Sequence, residues 1–149
     1  LQNNTLSEEN RQAFIWVQSH TPSDSRFIIM GDNYDLTGEW FPLLAERINM
    51  STCQGQEWLG IGKISNCMQT GNSINHCPFL SSPLTCITNI IQTGNINYIY
   101  IIRRAASVSW PKADNLIAEM EQHANYTLVY HTENVYIFSR PGSQFDKIE

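Results

Sequence analysis

Carboxylates and aromatic rings gather in two loops of the chain, each in or after a segment with the pattern of a β-strand. The first strand is predicted where an apolar run, 27–30, stops at Gly31, and the second over 48–53. Ligands of open α/β sheets bind at the carboxyl ends of the strands, so both loops are predicted to share one binding edge. The candidate substrate-binding residues of this edge are Asp32, Tyr34, Asp35, Glu39, Trp40, Glu57 and Trp58.

Grouped carboxylates can hold a divalent cation, accept hydrogen bonds from sugar hydroxyls, or act as acid and base. Indole rings beside carboxylates are typical of sugar binding, and they also anchor protein interfaces and surfaces near a membrane. The structural alternative is that Asp32 and Asp35 form turns, the commoner role for such residues after a strand. Two further tryptophans, Trp16 and Trp110, lie at predicted helical positions and are expected in the core.

Several function classes lack their motifs. The sequence contains no Gly-x-Gly-x-x-Gly, no Gly-x-x-x-x-Gly-Lys and no Gly-x-Ser-x-Gly, so neither a phosphate cradle nor a hydrolase elbow is predicted. The four histidines are scattered, and without a Cys-x-x-Cys pair no zinc site is predicted. We therefore assign no catalytic residue, metal or cofactor. A net charge of −5 without a basic stripe argues against a nucleic-acid partner.

The cysteines indicate the redox environment in which the chain folds. Four of them lie in the middle third of the chain, at Cys53, Cys67, Cys77 and Cys86. An even number in a loop-rich region predicts at least one disulfide and an oxidising environment. The favoured pair is Cys67 with Cys77, which would close a loop of about ten residues, and the second is Cys53 with Cys86. Sequons for N-glycosylation begin at Asn3, Asn49 and Asn125.

The order of strand and helix patterns predicts a single α/β domain over 1–149. It is a three-layer sandwich around a mixed, mostly parallel five-stranded sheet that ends in an antiparallel hairpin. The uninterrupted apolar run 98–102 predicts a central strand buried on both faces. Segments 126–130 and 135–139 predict the hairpin, because only four residues separate them.

Helix boundaries follow from capping residues. Ser7 is predicted to cap the first helix, and Ser82 with Pro83 to begin a later one that ends at Gly94. Pro42 is predicted at the first position of the second helix, where its missing N–H is not needed. Four apolar residues of that region are predicted to face the sheet: Phe41, Leu44, Ala45 and Ile48.

The segment from Leu6 to Trp58 resembles the start of the C-terminal, extracytoplasmic domain of polytopic membrane proteins related to glycosyltransferases of the C superfamily. The resemblance rests on a helix with a Trp-Val pair, the turn Thr21-Pro22, a short apolar strand, the segment Trp40-Phe41-Pro42, and Arg47. The chain is also remotely similar to the soluble part of the oligosaccharyltransferase catalytic subunit. That family has a Trp-Trp-Asp-Tyr-Gly motif where this chain has 31–35, without the double tryptophan, so recognition of a peptide acceptor is not carried over.

The resemblance implies an accessory domain on the extracytoplasmic face of the membrane. Its partners would be its own transmembrane portion and a lipid-linked sugar or an acceptor. Catalytic carboxylates of such enzymes lie in the transmembrane half, so the chain by itself is not expected to transfer sugar. We also expect it to be a piece of a larger protein, since it opens on Leu1 without an initiator methionine. The alternative is a free-standing secreted module that binds carbohydrate or protein.

Overall fold

The computed structural model describes residues 6–31, 37–51, 73–74, 76–77, 80–103 and 113–140. The helices are α1 (Glu8–His20), α2 (Thr37–Leu44), α3 (Pro83–Gly94) and α4 (Ala113–Gln122). The strands are β1 (Arg26–Met30), β2 (Ile48–Asn49), β3 (Tyr98–Ile102), β4 (Thr127–His131) and β5 (Val135–Ser139). None of these helices is long and apolar enough to cross a membrane.

The five strands form one sheet in the order β2-β1-β3-β5-β4. Strand β1 pairs in parallel with β2 and β3, whereas β5 is antiparallel to both β3 and β4. Four strands therefore run in one direction and β5 runs in the other. The mixed, mostly parallel sheet, its closing hairpin and its central strand β3 are confirmed.

Helices cover both faces of the sheet because successive strand residues point to opposite sides. On the first face, Phe27 and Tyr100 pack with Phe14 of α1 and Phe41 of α2. The opposite core layer has these buried members on the sheet and on α3 and α4: Ile28, Met30, Ile99, Ile101, Ile87, Ile91, Leu116, Ile117 and Met120. The three-layer α/β sandwich is thus confirmed.

The second helix differs from the prediction. It begins at Thr37, so Pro42 lies inside it rather than at its first position. Phe41 and Ala45 are buried as predicted, but Leu44 is 41% exposed and Ile48 is 39% exposed, so the prediction that both face the sheet is wrong. An eight-residue helix at the sheet margin has only a narrow face for the core.

A disulfide joins Cys77 to Cys86, with Cα atoms 5.6 Å apart. The prediction of at least one disulfide is confirmed, but both favoured pairings, Cys67 with Cys77 and Cys53 with Cys86, are wrong. Buried Cys77 lies just ahead of α3 and Cys86 lies in its first turn, so folding of that helix brings the two together. Cys53 and Cys67 lie outside the described residues.

Candidate functional site

The candidate site is the carboxyl edge of the parallel strands, at the boundary between β1 and β3. After β1 the chain enters α2 on the first face, whereas the next described helix after β3 is α4 on the second face. Neighbouring parallel strands whose following helices lie on opposite faces leave a crevice between their ends, and this is where open α/β sheets bind ligands.

The backbones of β1 and β3 approach each other closely at the bottom of this crevice. Gly31, the first residue after β1, has φ +113°, and a Cβ added to it would lie 2.2 Å from the carbonyl oxygen of Ile102 at the end of β3. Both observations require glycine, because other residues rarely adopt this conformation and a Cβ would overlap the neighbouring strand. The apolar run therefore stops at Gly31 for a physical reason.

The described residues include two of the seven predicted contact residues. Glu39 and Trp40 lie together in the first turn of α2, which begins at this edge, and both are exposed, Trp40 by 39%. Glu39 has no hydrogen-bond or ion-pair partner within the described part of the chain. The other five, Asp32, Tyr34, Asp35, Glu57 and Trp58, lie outside the described residues, so their role stays a prediction.

A polar network that the sequence analysis did not predict fixes α2 at this edge. The side-chain nitrogen of Asn49 donates to the carbonyl of Gly38 at 2.7 Å, and its Oδ1 accepts from the amide of Ser51 at 2.9 Å and from the Ser51 hydroxyl. Ser51 Oγ in turn accepts from the amide of Ile29 at 3.0 Å. Asn49 is only 4% exposed, so the asparagine of this sequon is buried and has a structural role.

The Glu9 carboxylate joins α1 to the loop between β4 and β5 at the same edge. Its oxygens accept from the backbone amide of Asn134 at 2.7 Å, from the Asn134 side chain at 3.1 Å, and from the Thr132 hydroxyl. Burial by itself would raise the pKa of Glu9, but these hydrogen bonds outweigh it and lower the pKa below the usual value. Its place in the first helical turn was the only sequence signal.

An ion pair joins the end of β3 to the start of α4. Arg103 Nε donates to Asp114 Oδ1 at 2.5 Å, and this hydrogen bond with its charge raises the pKa of the guanidinium. The Arg103 amide also donates to the carbonyl of Asn134 at 2.7 Å. In the described part of the chain, no three His, Cys, Asp or Glu side chains are close enough to hold a metal ion. Glu9, Arg103 and Asp114 at this edge are thus engaged within the protein.

Beside Glu39, α2 exposes an apolar surface, which we call the α2 surface: Trp40, Leu43, Leu44 and Ile48. The first three recur at spacings of three and four and therefore share one side of the helix. Ile48 follows in the edge strand β2, which packs beside α2. Leu43 is 67% exposed, the highest value among the exposed large apolar side chains of the described residues. Grouped apolar side chains of this kind mark interaction sites more often than scattered ones do.

No protein-family model matches the chain, and no curated protein sequence matches it. Among solved structures, the chain is similar to the C-terminal globular domain of an oligosaccharyltransferase from Archaeoglobus fulgidus. The TM-score is 0.52 at 8% sequence identity, and the match covers 91% of this chain and 99% of that domain. At this identity the likeness establishes a common fold.

Two of the residues that carry the family resemblance contact each other in the structure. Buried Arg47 donates from Nε to the Thr21 hydroxyl at 3.0 Å and from Nη2 to the Thr21 carbonyl at 2.6 Å. Nη2 also donates to the carbonyl of Gln18 at 2.8 Å, near the end of α1. A cation at a helix C-terminus satisfies carbonyls that have no partner within the helix. Arg47 is therefore a structural residue that fixes α1 beside α2.

Proposed function

We propose that the chain is the extracytoplasmic accessory domain of a membrane-bound glycosyltransferase-like protein. It would help to shape the site of the acceptor or the lipid-linked sugar. The observation that carries the proposal is the α2 surface beside the carboxyl edge, because an exposed apolar strip next to the exposed Glu39 fits a contact with a membrane-embedded half.

Two further observations support the proposal. The fold is that of a domain from an oligosaccharyltransferase and extends over nearly the whole of that domain. The Cys77–Cys86 disulfide fits an extracytoplasmic location, since disulfides persist where the environment is oxidising. Fold alone does not determine activity, so the α2 surface is the main support for this function.

The described edge has features of a docking and positioning surface. Two of its described carboxylates accept hydrogen bonds from neighbouring elements: Glu9 joins α1 to the hairpin and Asp114 joins α4 to β3. These bonds hold the edge in shape, and Glu39 and Trp40 are left exposed for an outside partner. The transferase chemistry would then reside in the membrane half.

The test compares the 149-residue chain with the full-length natural protein. We expect the purified chain to transfer no sugar from a lipid-linked donor, and membranes that contain the full-length protein to transfer it. Transfer by the chain alone would refute the accessory role. A full-length protein recovered only in the aqueous fraction, without transfer activity, would refute the proposal and favour a free-standing binding module.

A further inference from the structure

A second polar site lies at the opposite end of the sheet, away from the candidate edge. It is a cavity of about 230 Å³ between the C-terminal half of α3 and the turn after α4. Its lining residues are Thr88, Ile91, Gln92, Asn125, Tyr126 and Arg140.

Arg140 is the cation of this cavity and is only partly satisfied. Its Nη2 donates to Asn95 Oδ1 at 2.5 Å and its Nη1 makes a long contact of 3.4 Å with the Ile91 carbonyl. Its Nε–H is buried and has no hydrogen-bond partner among the described residues. A guanidinium has five N–H donors, so three of the five have no partner among the described residues. No carboxylate is among the described lining residues.

The remaining lining groups suit hydroxyl-bearing molecules. The Thr88 and Tyr126 hydroxyls are hydrogen-bonded to each other at 2.6 Å, and the side-chain amides of Gln92 and Asn125 add donors and acceptors. Burial raises the pKa of Tyr126, so its phenol stays neutral and keeps its proton. Ile91 supplies apolar contact.

We propose that this cavity binds a small hydroxylated carboxylate, such as a sugar acid, whose carboxylate pairs with Arg140. The planar carboxylate accepts two parallel N–H bonds from a guanidinium. Nη1 and Nη2 of Arg140 each keep one N–H without a partner among the described residues. The hydroxyls of the ligand then exchange hydrogen bonds with the lining hydroxyls and amides. The cavity lies at the far end of the sheet from the candidate edge, so the proposal holds with or without the transferase role.

The competing account is that Arg140 only caps α3, because its acceptors belong to Ile91 in the last turn and to Asn95, the residue that follows the helix. Arg26 offers a matched control. Its Nη1 contacts the carbonyl of Gly94 in the same helical end at 3.4 Å, but it does not line the cavity. If Arg140 only caps the helix, replacing either arginine should affect ligand binding equally. If Arg140 binds the ligand, only its replacement should weaken binding.

The experiment is an NMR titration of the isotope-labelled 149-residue chain with D-glucuronate, D-glucose, acetate and inorganic phosphate. We expect glucuronate to shift the amides of α3 and of the turn after α4 with a dissociation constant on the order of 1 mM, a usual value for a ligand of about a dozen non-hydrogen atoms. Glucose, acetate and phosphate should each bind at least tenfold more weakly, because each lacks the carboxylate or the hydroxyls.

Variants complete the test. Arg140→Gln should weaken glucuronate binding at least tenfold, and Arg26→Gln should weaken it by less than twofold. Gln92→Ala, a change on an exposed helical position that keeps the fold, should weaken it a few-fold and stands in if Arg140→Gln does not fold. Absence of shifts with glucuronate, equal binding of phosphate or glucose, or wild-type affinity in Arg140→Gln or Gln92→Ala would overturn the proposal.

Discussion

The side chain of Asn49 donates its hydrogen bond, 2.7 Å long, to the carbonyl of Gly38. This is the carbonyl that residue 42 would bond in a regular helix, and residue 42 is a proline without an N–H. Asn49 thus supplies the donor that Pro42 lacks. The contact explains how a proline is tolerated within α2 and why a sequon asparagine is buried.

Removal of the Asn49 side chain should therefore destabilise the chain in a way that depends on Pro42. We expect Asn49→Ala to lower the free energy of unfolding by about 2 kcal/mol, since it leaves buried partners unsatisfied. The cost should be smaller in a Pro42→Ala background, where the new N–H reaches Gly38. Urea unfolding of the four chains of this double-mutant cycle measures the difference. An equal cost of Asn49→Ala in both backgrounds would contradict the account.

Gly31 should not tolerate any side chain. Gly31→Ala places a Cβ 2.2 Å from the Ile102 carbonyl oxygen at φ +113°, so we expect it to lower the free energy of unfolding by at least about 2 kcal/mol. Gly94→Ala is the control, because its Cβ would meet only two side-chain atoms of Ile96, at 3.2 and 3.4 Å. The control should change stability by less than about 1 kcal/mol in either direction. Similar losses in the two variants would refute the close-approach argument.

The strand positions follow from the sequence, whereas the environment of Pro42 and the pairing of the cysteines do not. Strands β3 and β5 were predicted to the residue, because uninterrupted or alternating apolar runs leave little choice of burial. The prediction that Pro42 occupies the first position of α2 was wrong, since helix propensity alone cannot anticipate a hydrogen-bond donor supplied from β2. The cysteine pairing was wrong for a related reason: four cysteines allow three full pairings, and only the helix α3 selects Cys77 with Cys86.

The candidate site was predicted less fully than the fold. Strand ends and acidic loops predicted an edge. Glu39 and Trp40 lie in the first turn of α2, whereas the sequence predicted that this helix begins only at Pro42, and their role in binding stays a prediction. The Glu9 contacts link residues more than 120 positions apart, and no local pattern contains such a link. The Arg140 cavity likewise combines α3, the turn after α4 and the end of β5, which only the tertiary fold brings together.

Glu9 should make the stability of the chain depend on pH. Its pKa is lower in the folded state than the ordinary 4.5, so its stabilising effect is present above about that pH and is lost as the pH falls through the folded-state pKa. We expect Glu9→Gln to cost about 1 kcal/mol at pH 7 and much less at pH 3. Glu8→Gln, an exposed neighbour 3.7 Å from Arg11, should cost under about 0.5 kcal/mol at either pH. Chemical unfolding at both pH values makes the comparison, and a cost of Glu9→Gln that does not change with pH would contradict the linkage.

The disulfide should stabilise the region around α3. Closing a loop of nine residues' separation corresponds to about 2–3 kcal/mol on the chain-entropy model. The paired change Cys77→Ala with Cys86→Ala should lower the melting temperature by about 4–12 °C, at 2–4 °C for each kcal/mol in a domain of this size. Peptide mapping without reduction should recover Cys77 linked to Cys86. Recovery of Cys77 linked to Cys67 would restore the pairing first favoured from the sequence.

The most direct test of the proposed function is a charge placed on the α2 surface of the full-length protein. Leu43→Asp alters a side chain that is 67% exposed, and Ile15→Asp makes the same kind of change on α1 at a residue that is 51% exposed. Neither change should unfold the isolated chain, because neither side chain is in the core. Sugar transfer from a lipid-linked donor in membranes is the measurement. We predict at least a tenfold loss for Leu43→Asp, since a charge buried in an apolar contact is costly, and less than a twofold change for Ile15→Asp. Equal activity of the two variants would contradict the account.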